Sequence, residues 1–598
     1  MIRKIVTTFC LVIAFTACKK DKDSESKTEQ NEEVSANFDK LLDNYYEDGL
    51  RLHPLTATMA GDNRYNDKFS NTLSNSYIDS LKNYYSSYKD SLSNYKDSDL
   101  NETEQMSKAI LKWECDMNLE TLSFRNFEFF PIDQMWSTNL FMGQLASGSA
   151  AQPFKTVKDY ENWEKRVDAY LLWLTSVEEK MKEGMEEGYI LPKSLIIKVI
   201  PQLAAMTEKD LNKHLFYTPI TNFPEKFSDE DKARLKEEYT KMVQEKVVPA
   251  YQKLHDFVKN EYLPKGRTTS GIADIPNGDA YYKHQIKLYT TTNMTAEEIH
   301  QLGLDEVARI SSEMEKVKEQ IGFKGDLKSF FKYVRENKEL MPYKTPEEII
   351  ANFNAIHEKM KPQLEKLFDR TPKTPFEVRR TEAFRESSAS AEYNQGSLDG
   401  TRPGIFYVPI PDATKYNGYS DESLFLHEAI PGHHYQISLT QESEVLPKFR
   451  KTLWYSGYGE GWALYAESLG KELGLYTDPF QYFGMLGAEM HRAVRLVVDT
   501  GLHSKGWTRE QAIQYSMDNE AESEAGITSE IERYMANPGQ ALSYKIGQLK
   551  IIELREKAEN DLGDKFDIRQ YHNQVLETGC VPLELLENKI DRWIGESK

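Results

Sequence analysis

The chain has 598 residues, with 75 lysines and arginines against 95 aspartates and glutamates and a formal net charge of -20. That balance repels a phosphate backbone and excludes nucleic acid as the expected partner. The 39% hydrophobic content, with 12% aromatics, is that of a globular chain with material for a large core. After the N-terminus no apolar run reaches the ~20 residues a membrane span needs.

The first element is an export signal over residues 1–17: Arg3 and Lys4 are basic, Ile5 to Phe15 are apolar, and Phe15-Thr16-Ala17-Cys18 ends in small residues. This end resembles the lipobox of bacterial lipoproteins, which implies acylation of Cys18 and a place in the cell envelope, periplasmic or on the outer-membrane surface. Membrane contact is then expected only through that lipid. Residues 18–35 carry almost no apolar side chain and read as a disordered tether. The remainder, 36–598, reads as one helical catalytic domain, within which a helical half (36–265) and a catalytic half (266–598) can be drawn. Cys115 and Cys580 either pair or lie separately buried, and the spacing leaves both open.

Helical periodicity dominates the body. Tyr160, Trp163, Val167, Tyr170, Leu171, Trp173 and Leu174 recur at three- and four-residue intervals, the pattern of a buried helix face. A long amphipathic helix is expected over Ser228–Tyr262, and Thr295 with Glu298 forms a capping box that starts another through Val317. Thr345-Pro346-Glu347-Glu348 marks a further start. Phe376 to Arg380 alternates and Gly404 to Val408 is aromatic and β-branched, so both read as strands, ended in the second case by Pro409. The expected fold is mainly α, with a small β-sheet beside a deep active-site cleft.

The chemistry concentrates after Ser420-Asp421-Glu422, a helix start. Three of the chain's 12 histidines fall within His427-Glu428-Ala429-Ile430-Pro431-Gly432-His433-His434. In an HExxH helix, histidines at i and i+4 share a face and bind zinc while the glutamate acts on water. Here the i+4 residue is Pro431, and on an unbroken helix His433 would stand about 240° away from His427. Proline forbids that helix and Gly432 permits almost any turn, so the segment reads as HExxH with two residues bulged out. His433 is the expected second ligand, with His434 in reserve. Glu460, in Tyr458-Gly459-Glu460-Gly461-Trp462-Ala463, is the expected third, because this stretch resembles the EGFA helix of zinc aminopeptidases. Glu467 lies two turns further along the same face and would support the ligands.

These residues make the chain similar to the bacterial family called domain of unknown function 885, with its HExxPGHxxQ motif and EGWAxYxE helix. Further matching blocks are Gly278 to Tyr282, Asp399 to Gly404, Arg495 to His503, and Arg533-Tyr534 through Pro538 to Tyr544. In the family pattern the residue after the second motif histidine varies, which favours His433. The resemblance implies kinship with helical gluzincins such as thermostable carboxypeptidases, one zinc ion, and hydrolysis of short peptides with Glu428 as general base. An exopeptidase or dipeptidase is expected rather than an endopeptidase. Tyr534 or Tyr544 would stabilise the oxyanion, and Arg402, Tyr407, Arg495, His503 and Arg533 would contact substrate. Arg492, Arg495, Asp499 and His503 share one helix face, and a structural ion-pair network there is preferred over substrate binding. The alternatives are a metal-dependent amidase acting on cell-wall or other amides, and a non-catalytic peptide- or metal-binding envelope lipoprotein.

Overall fold

The computed structural model describes residues 17–598 except 149, 383–385, 387–388, 399 and 401, with side chains from residue 32. Residues 1–16 of the expected signal, the Cys18 side chain, and Asp399 and Thr401 of one family-like block therefore lie outside what is described. Among the described residues no helix is long and apolar enough to cross a membrane.

The fold is mainly α. Its first helix runs without a break over Ala17–Leu52, where composition alone points to a disordered tether as far as residue 35. The segment from 18 to 35 contains neither proline nor glycine, and its lysines and glutamates are good helix formers, so lack of apolar residues does not forbid a helix. The aromatic helix spans Val157–Glu187; it opens on the Thr156–Asp159 capping box and stops at Gly188, whose φ is 88°. Ser228–Tyr262 is helical over most of its length, but Met242–Val247 and Val258–Tyr262 are π-turns. Pro249 has no N–H for the carbonyl four residues earlier, which locally favours the wider winding.

The apolar interior forms two clusters. One gathers Trp163, Tyr170, Trp173 and Tyr251, all at most 1% exposed. The other holds the C-terminal body from Ile272 onward and also takes in Phe38, Ile110 and Phe129. The N-terminal helices thus contribute to both, as where Tyr45 packs edge-on to Phe449 at 5.6 Å, and a cut near residue 265 does not separate the two cores.

The sheet has three strands in the order β1 (Phe376–Arg380), β3 (Gly404–Val408), β2 (Glu392–Asn394), with β1 parallel and β2 antiparallel to β3. The strands β1 and β3 fall where the residue pattern predicts them; β2 has three polar or half-buried residues and no alternation to announce it. Phe406 is fully buried against Phe353, fixing the sheet to the helix Pro346–Met360 just before the histidine segment.

Candidate metal centre

The first motif helix spans Asp421–Glu428. Its N-terminus is fastened through Asp421, which accepts hydrogen bonds from Tyr343 (3.0 Å), Tyr416 (2.9 Å) and Asn352 (2.8 Å). Phe425 and Leu426 are fully buried, so His427 and Glu428 enter the interior on a rigid stem.

The helix ends where Pro431 requires it. Ala429 leaves the helical region (φ -109°, ψ -103°), and the second motif helix, His433–Glu442, begins after Gly432 (φ -75°, ψ -131°). The Ile430–Pro431 peptide is cis. A Cβ on Gly432 would meet the carbonyl oxygen of His427 at 1.9 Å and that of Leu426 at 2.2 Å, so only glycine lets the chain double back so closely. Trp462 pins the loop by donating from Nε1 to the carbonyl of Pro431 at 2.8 Å.

Doubling back brings the two imidazoles together, with centroids 4.8 Å apart and planes at 87°. Both Nε2 atoms face one oxygen of Glu460, on the helix Ser456–Ser468: His433 at 3.4 Å and His427 at 3.7 Å. The three ligand atoms all lie within 4.8 Å of one another. These separations exceed ordinary N–H···O bonds, whereas two ligands about 2.1 Å from a shared tetrahedral centre stand roughly 3.4 Å apart. A nitrogen–nitrogen–carboxylate set at this spacing fits a zinc ion.

Glu460 is held by backbone contact. Its helix crosses the helix Ser543–Leu562 so tightly that a Cβ on Gly461 would meet Gly547 Cα at 2.5 Å, and one on Gly547 would meet the Gly457 carbonyl oxygen at 1.8 Å. From the same helix Glu467, 2% exposed, accepts a hydrogen bond from His427 Nδ1 at 2.7 Å and another from Ser423. That bond commits Nδ1 as donor and leaves Nε2 to face the cluster. Ser423 precedes His427 by four residues, a helix-face spacing from which its proximity can be read.

The metal-free electrostatics are those of a tightly coupled group. Burial opposes the His427 imidazolium, yet Glu460 and Glu467 outweigh it and raise this histidine to about 9. Burial likewise opposes ionisation of Glu460, and the two histidines override it, holding this carboxyl well below the usual range. Glu428, 8% exposed, is pushed upward by burial against the pull of His427, His433 and, more weakly, Arg492.

His434 belongs elsewhere. Its Nδ1 lies 3.0 Å from the Tyr393 hydroxyl, its ring tilts against Phe376, and burial pushes it down to about 4. Trp454, which no sequence pattern singles out, stands 5.7 Å from the His433 ring.

Of the other expected site residues, the structure corrects His503. It is fully buried, accepts from the Ile272 N–H at Nδ1 and donates from Nε2 to the Tyr534 carbonyl, both at 3.0 Å, so no ring atom is left for a substrate. Its neighbour Asp499 accepts from Tyr282 at 2.6 Å and from the Gly539 N–H, and burial pushes it up to about 7. Arg402 is exposed ahead of β3, and Tyr407 interacts with Arg379. Tyr534 commits its proton to Glu530 at 2.8 Å and accepts from Arg495 Nε at 3.0 Å, which removes it as an oxyanion donor in this arrangement. Tyr544 is partly exposed, and among the described residues its hydroxyl makes only a 3.5 Å contact, accepting from Arg533 Nη2. Cys115 and Cys580 are free, buried thiols, each pushed to about 12 by burial.

Fold and site together define a large, mainly helical protein in which two buried histidines from a broken helix meet a half-buried glutamate from a neighbouring one. The chain belongs to the family described as "Bacterial protein of unknown function (DUF885)", whose model matches residues 54–590. Among solved structures, a "putative lipoprotein from Colwellia psychrerythraea" is 29% identical, with a TM-score of 0.86 over 94% of this chain and 100% of that one. A "putative lipoprotein of unknown function from Shewanella oneidensis" is 18% identical, with a TM-score of 0.72 over 92% of this chain and 99% of that one. None of the curated proteins compared with the chain matches it.

Proposed function

We infer that this chain is a zinc-dependent peptidase acting on short peptides, anchored in the bacterial cell envelope through an acylated Cys18. The observation that carries the reading is the convergence of His427, His433 and Glu460, with Glu428 next to His427 in the chain and Glu467 behind His427. His427, His433 and Glu460 would hold the ion. When bound, zinc supplies Lewis acidity that polarises a carbonyl and makes water nucleophilic near neutral pH.

The chain's own groups do the rest. Glu428 takes the proton of the attacking water and returns it to the leaving amine, a double role helped by the upward push of burial. Tyr544, whose hydroxyl donates to none of the described residues, donates to the developing oxyanion. Support for the envelope address comes from the basic–apolar–small N-terminal pattern and from the lipoprotein names of the two similar structures.

The test is Glu428→Gln. Turnover of short peptides should fall by at least ~100-fold, the usual range for a general base, while one zinc per chain remains bound. Retained turnover removes Glu428 from its role, and loss of zinc assigns it to the ligand set instead. A parallel panel of muropeptides separates peptidase from cell-wall amidase.

A further inference from the structure

Beside the metal cluster lies a second gathering of charge that the mechanism does not use. The helix Pro479–Ser504 carries Arg492 and Arg495 about one turn apart, and Arg533 comes from the helix Glu524–Ala536. The Tyr544 ring joins all three: its centroid is 4.6 Å from Arg495 Cζ and 5.9 Å from Arg492 Cζ, and its hydroxyl meets Arg533.

Three guanidinium groups crowded together, Arg495 buried and Arg492 and Arg533 half-buried, repel one another and need anions. Among the described residues one carboxylate touches them, Glu530, which takes Arg495 at 2.9 Å and Arg533 at 3.3 Å and also faces His491 at 3.5 Å. Arg492 forms no ion pair among the described residues; its hydrogen bond goes to the Ala488 carbonyl at 3.2 Å. A closed structural network would use its donors up. Here Arg492 Nε, Arg495 Nη1 and Arg533 Nε are all buried without a partner among the described residues, and Arg495 is only 5% exposed and out of reach of bulk water. Ser543, the residue before Tyr544, meets Ser456 hydroxyl to hydroxyl at 2.7 Å, one turn before Glu460 on the ligand helix, so this positive excess adjoins the reacting centre.

We propose that Arg492 and Arg495, backed by Tyr544, bind the free C-terminal carboxylate of the substrate, so that the enzyme acts on peptides ending a short way beyond the hydrolysed bond. This deepens the peptidase reading and rests on it for the word substrate. The spare guanidinium donors offer the paired, charge-assisted contacts that carboxylates prefer. Arg495 is also tied to Glu530 and Tyr534, so the residue to change is Arg492, whose contacts among the described residues are the Ala488 carbonyl and the Tyr544 ring.

The experiment compares tetraalanine with tetraalanine amide. Binding is measured by calorimetry on the metal-free full chain, where no turnover intervenes, and cleavage is followed on the zinc-loaded chain. The acid should bind about tenfold or more tightly than the amide, as for a charge-assisted pair. Arg492→Gln should erase that preference without weakening the amide, and Arg492→Lys should keep part of it. Equal affinity for the two probes, absence of binding included, overturns the proposal, as does a preference that survives Arg492→Gln. If the acid preference holds and neither probe is cleaved, the peptidase reading fails while the carboxylate site stands. Cleavage of both probes without preference does the opposite: the peptidase reading stands and the carboxylate site is lost.

Discussion

Replacing Glu467 with glutamine probes how the cluster is held without touching a ligand. The isostere still accepts the His427 Nδ1–H, but the bond changes from charge-assisted to neutral between groups only 2% and 4% exposed. Bonds to charged partners contribute about 1.5–3 kcal/mol and neutral ones about 0.5–1.5, a difference near 1–2 kcal/mol. That corresponds to roughly 5–30-fold in zinc affinity, overlapping the lower part of the ~10–100-fold typical of such supporting partners. A second effect opposes it. In the metal-free chain His427 is raised to about 9, with Glu467 one of the causes, so zinc must displace a proton at neutral pH. Losing the Glu467 charge lowers that barrier. The penalty of Glu467→Gln should therefore be smaller at pH 7 than at pH 8.5, measured by competition with a chromophoric chelator. Unchanged affinity at both pH values, or a penalty that shrinks as pH rises, refutes the assignment of Glu467 as the group that orients and polarises His427.

Three further outcomes are expected. His433→Ala should abolish stoichiometric zinc binding by elemental analysis, whereas His434→Ala should retain it, because His434 faces Tyr393 rather than Glu460. Gly461→Val should unfold the chain or lower its melting temperature by several degrees, since the new side chain would collide with Gly547 backbone atoms only 2.5 Å from a Cβ. Asp499 titrates near 7 in the folded chain against 3.8 as its ordinary value, so the folded state binds the extra proton. Its stabilising contribution is complete below about pH 4 and is lost as pH rises through 7. The melting temperature of wild type relative to Asp499→Asn should therefore be higher at pH 5 than at pH 8, and a pH-independent difference would contradict the burial of an ionisable carboxyl there.

Much of this architecture is legible in the residues. The starts at Thr295 and Thr345 mark helices that begin where they should, and the conflict between Pro431 and an HExxH helix foretells the doubled-back segment that brings His433 to His427. Helical spacing alone puts Glu467 on the right face. What the chain order hides is which distant element meets a given face. Asp499 and His503 share a face with Arg495, yet the partners that claim them, Gly539 N–H and the Ile272 and Tyr534 backbones, come from remote segments. For that reason a substrate role for His503 is open in the sequence and closed by the packing. Tyr534 and Tyr544 differ for the same reason: Glu530 lies one turn before Tyr534 and takes its proton.

The glycine contact between the helices bearing Glu460 and Gly547 has a consequence for how this centre can change over generations. Where main chain rests on main chain at Gly457, Gly461 and Gly547, no mutation can nudge the carboxylate by trimming a neighbour at that point of contact, because glycine has no side chain to trim. Drift toward a different ion or a different reach must come from the Ala429–Gly432 turn or from His433, and the acidic arm remains the fixed datum against which the imidazoles are set.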